Sequence, residues 1–127
     1  MKKIYYLLPL TLFSLCSCRT ISTSGSYVAR VCVSNTSSNA FSMDYDYLNG
    51  YRTYSFNSKN ATEIEMDFDT RSGTLSCVVI DANDKEIYKN EAVKTEDITI
   101  SIEKNTDYKM TFTATEHSGS FYVFLNE

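Results

Sequence analysis

Beyond Pro9 the chain has no proline, and it has no tryptophan, one histidine and only four glycines. Each shortage excludes something. Proline removes a ladder donor, so its absence leaves every later segment free to lie within a sheet. The one histidine, His117, and the distant cysteines Cys32 and Cys77 match no zinc-ligand spacing, so no metal is expected. No nucleophile elbow or phosphate-cradling glycine loop accompanies His117, and no catalytic residues or cofactor are assigned. Flanked by Glu116 and Ser118, it reads as a residue of a short connection over 116–120. Basic clusters are also missing: 12 Lys and Arg stand against 16 Asp and Glu, for a net charge of −4. Nucleic acid is therefore not an expected partner. The missing tryptophan weakens a sugar-stacking reading without removing it.

What is present begins with an address. Lys2 and Lys3 precede a short apolar run over 4–15, closed by Leu15-Cys16-Ser17-Cys18. The run is too short to span a bilayer and carries Pro9, so it reads as a secretory signal. The closing tetrapeptide resembles the bacterial lipobox, with Leu15 at the apolar position, Ser17 at the small one and Cys18 as the lipidated residue. That resemblance implies a signal peptide over 1–17, a lipidated cysteine and tether over 18–26, and a domain over 27–127. It also implies a lipid-anchored protein of the bacterial cell envelope. Arg19 lacks the acidic side chain of inner-membrane retention, which favours the outer membrane in a Gram-negative cell. Without the leader, ten basic residues face sixteen acidic ones, so contact with the membrane should rest on acyl chains alone.

The 110 residues from Cys18 onward suffice for one domain. Their apolar residues recur with period two. Phe41, Met43, Tyr45 and Tyr47 alternate with Ser42, Asp44 and Asp46. Asn49-Gly50 follows and predicts a type I′ hairpin, with 51–56 as the return strand. Further strands are predicted over 27–34, 64–69, 74–80, 86–89, 98–102, 108–114 and 121–125. Eight or nine short strands at regular spacing predict an all-β, single antiparallel β-sandwich of jelly-roll type. Turn placement over 62–125, with Ser72-Gly73-Thr74-Leu75 and Ser118-Gly119-Ser120-Phe121 opening strands, resembles jelly-roll modules appended to secreted bacterial proteins, such as those trailing secreted peptidases.

Cys32 and Cys77 read either as a disulfide or as two small buried hydrophobes. A disulfide closing that loop would contribute about 4 kcal/mol by chain entropy. Against it, Cys77 alternates with Leu75 and Val79, whereas Cys32 alternates with Arg30 and Ser34. Glu63, Glu65, Asp67 and Asp69 share one strand face and read as a solvated face before a calcium surface. Asp81 to Glu86 begins like a calcium loop but places Lys85 where an oxygen ligand belongs. Tyr51, Arg52 and His117 carry the contact-prone side chains of the predicted loops at 48–52 and 116–120.

The inventory supports a non-catalytic binding or accessory module whose partner is a protein or glycan. Two rivals stand beside it. One is an envelope inhibitor or immunity protein against a basic secreted effector, and the other is a carbohydrate-binding surface lipoprotein.

Overall fold

The computed structural model describes residues 20–127, so the segment read as a signal peptide over 1–17 and the lipidation reading at Cys18 lie outside the described residues. The described residues form seven strands: β1 (Ser22–Arg30), β2 (Val33–Thr36), β3 (Ala40–Asn57), β4 (Glu63–Ile80), β5 (Glu86–Asn90), β6 (Glu96–Ser101) and β7 (Asp107–Asn126). All pairings are antiparallel, in the order β1-β3-β7-β4-β5, with β2 also on β3 and β6 also on β4. The all-β antiparallel sandwich anticipated from the alternation is the fold.

Three of the strands are too long to be straight. β3 and β4 have 18 residues and β7 has 20. At about 3.3 Å per residue each would run roughly 60 Å, far beyond a domain of this size. They fold over instead. The first half of β3, the second half of β7 and the first half of β4 join β2 and β6 in a front layer. The remaining halves join β1 and β5 in a back layer. Strands that pass from one layer to the other at bends are a known way of making sandwich corners. Ring contacts show the closure: Phe41 stacks on Tyr54 of the same strand at 3.8 Å, and Phe112 stacks on Phe121 at 4.0 Å.

The bends coincide with register shifts at Tyr45/Leu48 and Leu48/Gly50 in β3, and at Thr70/Ser72 and Ser72/Thr74 in β4. In β7, Glu116 has φ of 45°. Gly73, at φ 75°, lies so close to β7 that a Cβ there would meet the Glu116 carbonyl oxygen at 2.0 Å. These corners correct three boundaries read from sequence. Asn49-Gly50 is no hairpin turn: Gly50 has φ 127° but Asn49 is not in the positive-φ region that type I′ also requires. The chain there bulges and continues, and the Asn49 side-chain oxygen accepts from the Glu116 backbone N–H at 3.1 Å. The segments around 71–73 and 116–120 likewise bend strands without ending them. Nine predicted segments thus become seven strands, because three pairs are continuous and residues 27–34 split into β1 and β2 at Val31, whose φ is 49°.

Of the segment read as a tether over 18–26, Ser22 to Ser26 belong to β1 and pair with Ser55 to Tyr51. On an edge strand the backbone ladder forms whatever the side chains are, so polar composition hid it. The disulfide reading is also overturned: Cys32 is an exposed free thiol and Cys77 a buried one. Cys32 lies between β1 and β2, which pair only with β3, while Cys77 is on β4 beyond β7. Cys77 fits the alternative of a small core hydrophobe, and burial pushes its thiol pKa up to about 12.

Candidate functional site

The outward side of the front layer carries the residues that alternate with the core. Register aligns them in rows. Asp97 faces Asp67, Asp67 faces Tyr122, Tyr122 faces Ser42, and Ser42 faces Asn35. This row crosses all five strands, about 19 Å at the usual strand spacing. Beside it run Thr99, Glu65 and Phe124 on one flank, and Asp69, Ser120 and Asp44 on the other. Tyr122 is 49% exposed at the centre, one of the few large apolar side chains the domain leaves in water. Glu65, Asp67, Asp97, Thr99, Tyr122 and Phe124 line an open groove of about 580 Å³.

The face is acidic. At its corner Arg71 pairs with Asp69 at 2.9 Å and approaches Asp44 at 3.9 Å. Asp67 and Asp97 sit directly opposite, where like charges destabilise a sheet. A hydrogen bond between the two carboxyls raises the Asp67 pKa above its ordinary value, and partial desolvation and the Asp97 charge add to it. The fold therefore takes up this proton more readily than the unfolded chain does. Stability from the pair is full at low pH and is lost as pH rises through the raised value. Asp67→Asn should raise the melting temperature at neutral pH, and the gain should vanish as pH falls into the carboxylate range. Melts from about pH 3 to about pH 8 read this directly. Among the described residues no three His, Cys, Asp or Glu side chains come together to hold a metal ion.

The residues singled out from sequence are scattered by the structure. Tyr51 is 47% exposed, but it lies on β3 in the back layer and not on a loop. Arg52 points inward at the β1 edge, with Nη1 donating to the Tyr27 hydroxyl at 2.6 Å. His117 is fully buried within β7, so its reading as an exposed recognition residue is wrong. The cause is the corner: where β7 bends, the side chain is enclosed between β3 and β4. Thr70 Oγ1 donates to the Val93 carbonyl at 3.1 Å and lies 3.0 Å from His117 Nε2. Thr70 thus accepts from Nε2–H, leaving Nδ1 to accept from the Tyr45 hydroxyl at 2.8 Å. Burial lowers the His117 pKa, the Arg71 charge adds to that and Asp69 opposes it, so the ring is neutral. Burial likewise raises the Tyr45 pKa and keeps its proton available to donate. Arg71 completes the corner through the Tyr45 carbonyl at 2.9 Å. His117 does not line the front groove, and its two hydrogen bonds fasten the bends of β3, β4 and β7 to one another.

Sequence reasoning placed Glu65 and Asp67 on one face but missed their neighbours. Tyr122 was legible, being out of phase with Phe121, Val123 and Leu125. Its position beside Asp67 depends on the β4–β7 register, which no local pattern encodes.

No protein-family model matches the chain, and no curated protein matches it. Among solved structures, a family 29 carbohydrate-binding module complexed with mannohexaose is similar at TM-score 0.40 and 11% identity, covering 81% of this chain and 77% of that one. A second family 29 carbohydrate-binding module gives TM-score 0.38 at 12% identity, covering 84% and 86%. A structure of accessory secretory proteins 1, 2 and 3 of Streptococcus pneumoniae gives 0.36 at 9% identity, covering 76% and 86%. Likeness this loose transfers neither a ligand nor a site to this chain.

Proposed function

We propose that this chain is a non-catalytic binding module that recognises a neutral glycan chain through the front face and is held at a bacterial envelope by a lipid on Cys18. The single observation carrying the ligand class is the row Asp97, Asp67, Tyr122, Ser42 and Asn35 across five strands. A half-exposed tyrosine offers a flat apolar surface to a sugar ring, and the carboxylates, hydroxyl and amide beside it accept and donate hydrogen bonds to sugar hydroxyls. Asp67 and Asp97 would repel an anionic polymer, which favours a neutral one. The anchor is supported by the tetrapeptide ending at Cys18 and its resemblance to a lipobox.

Affinity electrophoresis in gels containing soluble neutral polysaccharides (mannan, glucan, xylan) tests the ligand class. At least one should retard the protein, and Tyr122→Ala should weaken that retention about tenfold, the scale of one stacking contact. Retardation unchanged in Tyr122→Ala, or none with any polymer, would remove the reading. The acidity of the same face favours a second one, docking of a basic effector protein. Salt separates them, because an ion-paired complex weakens steeply with ionic strength and sugar stacking does not. For the anchor, Cys18→Ser should release the protein into the soluble fraction or leave it unprocessed.

A further inference from the structure

The edge formed by β1 and the second half of β3 has the opposite electrostatic character. Residues 20–43 and 47–62 contain no aspartate or glutamate, in a chain that is acidic overall. Two arginines lie in this region, each laid on an aromatic ring. Arg30 sits 4.2 Å from the centroid of Tyr47, and Arg52 sits 5.4 Å from those of both Tyr27 and Tyr54. Arg52 belongs to the inward phase of β3 together with Tyr54 and Phe56, and its partner on β1 is Gly25. With no side chain on Gly25, the guanidinium borders an open groove of about 240 Å³ lined by Thr23, Ser24, Gly25, Tyr27 and Arg52.

An inward arginine ordinarily has a carboxylate partner. Arg52 has none among the described residues, and its Nε is buried without any hydrogen-bond partner. The Tyr54 hydroxyl, on a fully buried residue whose ring packs against the same guanidinium, is also without one. The Tyr27 hydroxyl accepts from Arg52, which leaves its own proton to give. Unmet donors and a fixed positive charge with no carboxylate partner among the described residues form a cluster lacking one component, an acceptor with negative charge.

We propose that this groove binds a carboxylate group, gripped by the Arg52 guanidinium with the Tyr27 hydroxyl in support. A planar guanidinium matches a carboxylate through two parallel hydrogen bonds, a geometry that a lysine would not offer. The Thr23 and Ser24 positions border the space where the remainder of the ligand would lie. The site is on a different face from Tyr122 and stands independently of the glycan reading.

The test uses the full chain in detergent, with sodium acetate, sodium glucuronate, glucose and sodium chloride compared at equal ionic strength. The melting temperature and the Arg52 Nε–H resonance are followed together. Acetate or glucuronate should raise the melting temperature and shift that resonance, while glucose and chloride should do neither. Equal effects of the two anions would assign the site to a bare carboxylate, and a larger effect of glucuronate to an acidic sugar. Arg52→Gln should abolish the response. Tyr27→Phe, which removes the hydroxyl that lines the groove, should weaken it about tenfold. Tyr122→Ala should leave it unchanged, so failure here and failure of the front-face reading are distinguishable. No response beyond chloride, a response that survives Arg52→Gln, or full affinity in Tyr27→Phe would overturn the assignment.

Discussion

His117→Ala should unfold the domain or lower its melting temperature by about 20 °C or more. Removing the ring leaves a cavity where the three bends meet, and large-to-small changes at enclosed sites cost about 2–5 kcal/mol. It also strips the Tyr45 hydroxyl of its acceptor at 2.8 Å and the Thr70 oxygen of its donor at 3.0 Å. Each buried group left unmet adds roughly 1–3 kcal/mol. A total near 4 kcal/mol is a large share of the 5–15 kcal/mol that holds a typical domain, and each kcal/mol moves the melting temperature by about 4–8 °C at this size. The same residue sets a pH dependence. Its pKa in the fold lies below the ordinary 6.5, so above that pH both folded and unfolded chains hold it neutral and its contribution is complete. As pH falls through 6.5, the unfolded chain accepts a proton that the fold refuses, and stability declines. Thermal melts across this window should show a decline in the wild type that His117→Gln lacks.

Gly73→Ala should be nearly as damaging, although it adds one methyl group. The added Cβ would lie 2.0 Å from the Glu116 carbonyl oxygen and 2.7 Å from the His117 Cα. Both are backbone atoms of the neighbouring corner, so no flexible side chain can yield. The φ of 75° adds backbone strain of about 1–3 kcal/mol for a residue with a side chain. Denaturant melts should place the loss at about 3 kcal/mol or more, with Ser72→Ala, on an exposed neighbour, close to unchanged.

These two positions also show which parts of the molecule were legible in the sequence. Alternation identified the core faces of β3, β4 and β7, because a sheet with one buried side must place apolar residues at every second position. Tyr54 and Tyr51, two residues of opposite phase, fell on opposite sides as the period requires. The period could not reveal that β3, β4 and β7 each continue through a bend. A glycine with positive φ serves a hairpin turn and a bulged corner alike, and Asn49-Gly50 was read as the first when it is the second. His117 was misplaced for the same reason, since a residue taken for a turn is taken for exposed. The front face was half visible: Glu65 and Asp67 announced themselves on one strand, but Asp97 lies 30 residues away from Asp67 and meets it only through the β4–β6 register. Arg52 was noticed as contact-prone, yet its burial against Tyr54 depends on the closure of the sandwich.

The glycan reading of the front face is tested most directly by titrating isotope-labelled protein with oligosaccharides cut from whichever neutral polysaccharide retards it, and mapping the amide and tyrosine-ring shifts. The account predicts that the perturbed residues follow the row Asp97, Asp67, Tyr122 and Ser42, with the Tyr122 ring moving most and the back layer silent. Perturbation centred on the back layer or on the β1 edge, with the Tyr122 ring unmoved, would contradict it.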